Sequence, residues 1–210
     1  MVDAVRRITG EKKVGHAGTL DPFASGLLVM GVGREATRRL GAFLNMDKTY
    51  EAVAHLGATS TTGDLTGVIE NVECEMRNGK CEMERLTTTL KEFQGVIQQV
   101  PPMYSAKKIA GQKLYDLARR GEVIERKPFT ITIHSIELLD FQWPRLTIRV
   151  SCSSGTYIRV LAEDIGKKLE CGGHCEELIR TSIGPYQLKD AHSVEELEKG
   201  NWVDQLFQVN

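Results

Sequence analysis

Val14–Leu28 reads VGHAGTLDPFASGLL and is the most specific stretch of the 210-residue chain. It is a loop packed with turn formers that delivers one carboxylate, Asp21, between Leu20 and Pro22. Pro22 fixes its own φ and confines Asp21 to extended conformations. Gly15 and Gly18 let the backbone bend closely on either side of Thr19 and His16. A loop constrained in this way holds a single reactive group in place, which nucleophilic catalysis requires. On residue types alone, the plain alternative is a surface Asx turn.

Outward from this loop, Gly26–Val32 (GLLVMGV) is a continuous apolar run and reads as one buried strand. It is also the longest such run, far too short to span a bilayer. Upstream, Asp3–Thr9 reads as a short helix and Gly10–Ser25 as one long structured loop. Downstream, Glu35–Asn45 spaces Ala36, Leu40, Phe43 and Leu44 at helical intervals, and Thr49–Leu56 alternates like a strand. Gly57–Gly67 is a polar loop. Glu82–Gln94 sets Met83, Leu86, Leu90 and Phe93 on one helical face. Pro101-Pro102 forbids helix across Val100–Ser105, and Leu114–Arg120 reads as a short helix. Thr130–Leu138 and Leu146–Cys152 alternate and are predicted to form an antiparallel pair, with Ile131, Ile133, Ser135 and Glu137 on one parity. Thr156–Leu169 and Val194–Lys199 read as helices. This order predicts an α+β fold, a mixed and mostly antiparallel sheet flanked by helices, in one domain over residues 1–210.

A chain with 41% hydrophobic and 26% charged residues buries a core without disulfide staples. Met1–Thr9 has no apolar segment of the secretory kind. Five cysteines, an odd number, suggest reduced thiols, so a cytoplasmic protein is expected. The net charge of −1 argues against a generic polyanion binder, but the average hides segregation. Residues 1–50 carry eight Lys/Arg against five Asp/Glu, and residues 95–127 carry seven against three. Residues 160–210 carry five against ten. Such a chain can present one basic face to a polyanion; the plain alternative is scatter over a solvated surface.

Gly15-His16-Ala17-Gly18-Thr19-Leu20-Asp21-Pro22, followed by Gly26-Leu27-Leu28, resembles the signature of the TruB family of tRNA pseudouridine synthases. The resemblance implies that Asp21 is the catalytic carboxylate and that His16 belongs to the RNA-contacting wall. Lys48-Thr49-Tyr50 resembles the family's Lys-x-Tyr motif. That implies a Tyr50 ring stacked on the target base, its hydroxyl a candidate for proton transfer, with Lys48 on the RNA side. Gly155-Thr156-Tyr157-Ile158-Arg159 resembles the third motif. An Arg159 beside the nucleophile would keep Asp21 ionised and oriented, with Tyr157 near the RNA. Phe93–Gly121 resembles a thumb-like insertion that grips the T-arm, here placed at about residues 95–127. Its Lys107, Lys108, Lys113, Arg119 and Arg120 are interleaved with Tyr104 and Tyr115, which suits phosphate contacts and base stacking. Leu178–Leu197 resembles the closing segment of the family.

Two departures stand out. The family normally opens with a strand and a Lys-Pro-x-Gly-x-Thr-Ser segment, whereas this sequence opens at Met1-Val2-Asp3 inside the following helix. A first core strand is therefore expected to be missing. The C-terminal RNA-binding appendage of many bacterial members is also expected to be missing, since the sequence stops at Asn210.

The resemblance implies isomerisation of uridine to pseudouridine in the T-loop of tRNA, at position 55, by a monomer that needs no cofactor and no metal. The nucleotide must be extruded from its stack, at roughly a few kcal/mol. Asp21 then attacks C6 of uracil or C1′ of ribose, or first takes a proton from the sugar; the sequence leaves these routes open. The rival reading is a non-catalytic RNA-binding or tRNA-remodelling protein on the same fold. Cys171-Gly-Gly-His174-Cys175 offers three metal-ligand types, but a structural zinc site takes four, usually from two separated pairs. Gly31-Val32-Gly33 lacks the third glycine of a dinucleotide fingerprint.

Overall fold

The computed structural model describes residues 1–74, 80–105, 108, 109, 112–120, 122 and 124–207. The chain opens with helix α1 (Val2–Thr9) and the short strands β1 (Val14–Ala17), β2 (Ser25–Gly26) and β3 (Val29–Val32). Helices α2 (Gly33–Arg39) and α3 (Gly41–Leu44) lead into β4 (Lys48–Leu56), the hairpin β5 (Ala58–Ser60) and β6 (Ile69–Asn71), and helix α4 (Lys80–Glu92). Next come β7 (Gly95–Gln99), the small hairpin β8 (Lys108–Ile109) and β9 (Gln112–Lys113), and helix α5 (Leu114–Arg119). The chain closes with β10 (Phe129–Gln142), β11 (Arg145–Cys152), α6 (Ile158–Lys168), β12 (Gly173–Ile183), β13 (Tyr186–Gln187) and α7 (Val194–Lys199).

The main sheet runs in the order β13-β12-β4-β11-β10-β7, with β2 lying beside β12. Every pairing is antiparallel except β2 with β12, so the sheet is mixed and mostly antiparallel, as the sequence predicts. Period-two alternation drives its inner face: Leu146, Ile148, Val150 and Cys152 of β11 are all buried, as are Ala52, Ala54 and Leu56 of β4. Helix α6 covers them with Ile158, Leu161, Ala162 and Ile165, and α4 adds Leu86 and Leu90. A smaller cluster of Ala17, Leu27, Val29, Phe43 and Ile183 sits under the Asp21 loop.

Five expectations need correction. Gly57–Gly67 is not all loop, because Ala58–Ser60 forms β5 and pairs with β6. Gly10–Ser25 is not all loop, because Val14–Ala17 forms β1 and pairs with β3. Gly26–Val32 is not one strand: Gly26, at φ 105°, ends a piece that joins β12, and Val29–Val32 turns away to pair with β1. The parity on β10 breaks at a register shift between Ile133 and Ser135, which turns Ile136 rather than Ser135 into the core. The insertion begins later than residue 95, because Gly95–Gln99 is the edge strand of the main sheet, paired with Phe129–Ile133. Arg126 Nη1 donates to the Pro101 carbonyl at 3.1 Å and draws the two ends of the remaining insertion together.

Candidate active site

Asp21 crosses between the two hydrophobic clusters. Ala17 and Leu27 sink into the smaller cluster, while Phe23 and Ala24 pack on the main one. The Ala24 amide donates to the Asp21 carbonyl at 3.0 Å, closing a turn just after Pro22. The carboxylate is thereby held on a short tether and remains partly open, with its side chain 28% exposed.

Arg159 meets it from the first turn of α6. Nε donates to Asp21 Oδ2 at 2.7 Å and Nη2 to Asp21 Oδ1 at 3.1 Å, a two-point, charge-assisted pairing. Nη1 donates to the Thr62 carbonyl at 2.7 Å and Nη2 also to the Tyr104 carbonyl at 2.9 Å. Nη1 lies 3.1 Å from Asp64 Oδ2 as well. The Arg159 side chain is only 3% exposed, so this set of partners is what makes a buried guanidinium tenable. The start of α6 is itself fixed by Gln99, whose side chain accepts from the Tyr157 amide at 2.8 Å and donates to the Tyr157 carbonyl at 3.0 Å.

Asp64 belongs to the stretch that reads as a polar loop, where no motif singles it out. Its Oδ1 accepts from Thr62 Oγ1 at 2.8 Å, from the Thr66 amide at 2.9 Å and from Thr66 Oγ1. Three hydroxyl residues around one Asp within Thr61-Thr62-Gly63-Asp64-Leu65-Thr66 were the available signal.

Tyr50 lies on β4, opposite Arg180 of β12. Burial pushes its hydroxyl above the usual phenol range; the Arg180 guanidinium pulls the other way, and Asp21 is close enough to push it further up. The structure thus gathers Asp21, Arg159 and Tyr50, the three residues expected to do chemistry, and adds Asp64 and Arg180. His16 sits on β1 opposite Met30, and its Nδ1 is buried without a hydrogen-bond partner among the described residues. Tyr157 packs edge-on against Phe129, centroids 6.3 Å apart, and burial raises its hydroxyl pKa.

Lys48 does not fit its expected place on the RNA side. It is 6% exposed, and its Nζ donates to the carbonyls of Phe43, Leu44 and Met46. An ammonium has three donors, and here all three serve the C-terminal end of α3. Burial lowers its pKa, with Arg180 adding to that effect. Of the basic residues of the insertion, Lys107 lies outside the described residues. Lys108, Lys113 and Arg119 are described only as backbone of β8, β9 and α5. Arg120 is exposed and pairs with Glu122 at 2.6 Å.

The Cys171–Cys175 segment sends its ligand types to separate partners. The Cys171 thiol donates to the Gly166 carbonyl at 3.6 Å and the Cys175 thiol to the Glu177 carbonyl at 3.5 Å. His174 stacks on His55, centroids 5.1 Å apart. Burial pushes Cys171 up to about 11 and Cys175 up to about 12, as for thiols packed in an apolar core.

A mixed sheet of this order, carrying a proline-locked Asp under a buried Arg with a Tyr alongside, defines an enzyme of the pseudouridylate synthase class. The chain belongs to the TruB family: the N-terminal-domain model of that family matches residues 6–158, and the C-terminal-domain model of tRNA pseudouridylate synthase B matches residues 159–208. The two matched segments meet inside α6 and share one sheet, since β12 of the second lies against β4 of the first. The chain is 46% identical to the tRNA pseudouridine synthase B of Protochlamydia amoebophila, covering 95% of this chain and 76% of that protein. It is 44% identical to that of Chlamydia trachomatis serovar L2, over 98% and 80% of the two chains. Against that of Pseudomonas fluorescens the identity is 47%, over 92% and 62%. Among solved structures, it resembles a chain of a Cbf5–Nop10–Gar1 complex with a TM-score of 0.66 at 31% identity, over 89% of this chain and 45% of that one. A chain of an H/ACA RNP bound to a substrate RNA containing 2′-deoxyuridine gives 0.67 at 26%, over 99% and 51%. The chain therefore spans about three quarters of the first relative and about half of these solved chains.

Proposed function

We propose that this protein isomerises uridine to pseudouridine in the T-loop of tRNA, at the position numbered 55, with Asp21 as the reacting carboxylate. The observation that carries the reading is the two-point grip of buried Arg159 on Asp21, with Tyr50 beside them. That grip keeps a carboxylate ionised and aimed in a partly dry site, as a nucleophile or sugar-proton acceptor requires. The relatives named tRNA pseudouridine synthase B supply the substrate class.

The reaction proceeds on an extruded nucleotide. The C1′–N1 bond breaks, the uracil rotates, C5 bonds to C1′, and the C5 proton leaves. Asp21 attacks C1′ of ribose or C6 of uracil, or first removes a sugar proton. His16, whose buried Nδ1 has no hydrogen-bond partner among the described residues, contacts the RNA beside the extruded nucleotide. The residues of the insertion, Lys107, Lys108, Lys113, Arg119 and Arg120, supply cationic contacts to the arm.

Tritium release from C5-labelled uridine in a tRNA transcript tests this, with wild-type protein run beside Asp21→Asn. Release by the wild type alone is expected. No release by either protein, with tRNA still bound, would make this a non-catalytic RNA binder.

A further inference from the structure

Arg180 is a charged residue on β12, an interior strand of the main sheet, and is 2% exposed. A guanidinium there is strongly unfavourable unless its donors are met. Two of its side-chain hydrogen bonds run to the catalytic loop. Nε donates to the Leu27 carbonyl at 2.8 Å and Nη2 to the Gly18 carbonyl at 2.9 Å. Those carbonyls bracket Asp21 on its two sides.

The backbone of Arg180 joins in. Its carbonyl accepts from the Leu27 amide at 2.8 Å, and Gly26 runs parallel to it as β2. A Cβ on Gly26 would meet Arg180 N at 2.7 Å, so only glycine fits there. The loop is therefore seated on Arg180 by main chain and side chain together.

The same guanidinium reaches Tyr50. The two residues are register partners on β12 and β4, so their side chains rise on one face. Arg180 sets a positive charge beside the Tyr50 hydroxyl, which pulls its pKa down against the effect of burial. A fork with its other donors tied to two fixed carbonyls has no freedom to follow a moving phenol, so it sets where that hydroxyl stands.

We propose that Arg180 is a positioning residue of the reaction, braced on the Gly18 and Leu27 carbonyls so that it holds the Tyr50 hydroxyl where the C5 proton of the rotated uracil must go. In that step the C5–H bond breaks, its electron pair forms the C5=C6 double bond, and the N1=C6 pair moves onto N1, which takes a proton from water. The Tyr50 oxygen takes the C5 proton as its own hydroxyl proton passes to solvent water, so one proton leaves at C5 and one arrives at N1. The assignment rests on the reaction proposed above.

The test is single-turnover pseudouridine formation by full-length wild type and Arg180→Lys, on tRNA carrying either hydrogen or deuterium at C5 of the target uridine. Lysine keeps the charge but cannot hold both carbonyls and the phenol. Arg180→Lys is expected to melt within a few degrees of wild type, to bind tRNA within a few-fold, and to react about tenfold to a hundredfold slower. Its C5 isotope effect is expected to exceed that of wild type, because proton removal has become the slow step. Arg180→Met strands two buried carbonyls and is expected to lose much of the fold, so the lysine variant carries the test. A slow Arg180→Lys with an unchanged isotope effect would show a residue that only shapes the Asp21 loop and would overturn the proposal. So would an unslowed variant. Wild type that forms no pseudouridine at all would overturn the reaction itself, a result distinct from either.

Discussion

Asp64 stands across the Arg159 guanidinium from Asp21, 3.1 Å from Nη1, while Asp21 takes Nε and Nη2 on the other edge. One buried cation is thus shared by two carboxylates, and the side chain of Asp64 is the more buried, at 5% against 28%. Asp64 contributes charge and aim to Arg159 without facing the open side of the site. Asp64→Asn keeps the shape and the threonine contacts but removes half of this balance. Its rate of pseudouridine formation is expected to fall by about tenfold or more, with tRNA affinity within a few-fold. Asp64→Ala, which leaves Arg159 partly unpaired, is expected to lose about 3 kcal/mol of stability as well. Arg159→Ala should slow the reaction by orders of magnitude. Single-turnover rates with chemical denaturation measure both effects, and an Asp64→Asn enzyme as fast as wild type would remove Asp64 from the site.

Lys48 yields a prediction opposite to the one its motif suggests. All its donors serve the end of α3, so Lys48→Met should cost stability, about 1–3 kcal/mol, while leaving tRNA affinity and its salt dependence unchanged. A melting curve and a filter-binding titration suffice. A large loss of affinity in a protein that melts normally would return Lys48 to the RNA surface.

Lys107 and Lys108 stand in the basic insertion, and their expected role is phosphate contact. Replacing both with Ala should weaken tRNA binding and reduce the slope of log affinity against log salt by roughly one to two. The single-turnover rate at saturating enzyme should hold. A salt slope equal to that of wild type would move the RNA-binding face elsewhere.

The strongly periodic elements were legible in the residues themselves. Leu146–Cys152 buries one face, and Glu82–Gln94 buries Leu86 and Leu90 with Phe93 packed against them, as their apolar spacing announces, whereas Met83 at the start of that face is 42% exposed. Asp21 was legible because Pro22 and two glycines surround it. β12 was not legible, although it is a central strand. Its sequence, GHCEELIRTSI, buries His174, Arg180 and Ser182, polar residues that look like surface in a linear reading. Register shifts between Cys175 and Glu177 and between Arg180 and Ser182 also break its period of two. Arg180, one of the polar residues that hide the strand, is also the one that braces the site, so the local rule fails where function is concentrated. Asp64 stayed hidden for a different reason. Its partner Arg159 is 95 positions away, and no local pattern encodes that distance.

Glu163 gives the fold a pH dependence with a definite sign. It lies one turn after Arg159 on α6, its carboxylate packed against Gly63, where a Cβ would have no room. Burial and then Asp164 push it up to about 7; Arg159 and Arg126 pull down, and Asp64 adds to the rise. The folded protein therefore holds this proton more tightly than the unfolded chain does. Below the ordinary value of 4.5 both states are protonated and Glu163 contributes no difference. Between 4.5 and about 7 only the unfolded chain releases the proton, so stability falls as pH rises; above that window the full cost remains, about 2–3 kcal/mol. Glu163→Gln keeps the shape and removes the titration. The melting temperature of wild type should drop relative to Glu163→Gln as pH is raised from 5 to 8, all other titrating groups being shared by the two proteins. Scanning calorimetry across that range decides it, and two curves that stay parallel would show that Glu163 titrates as an ordinary surface carboxylate.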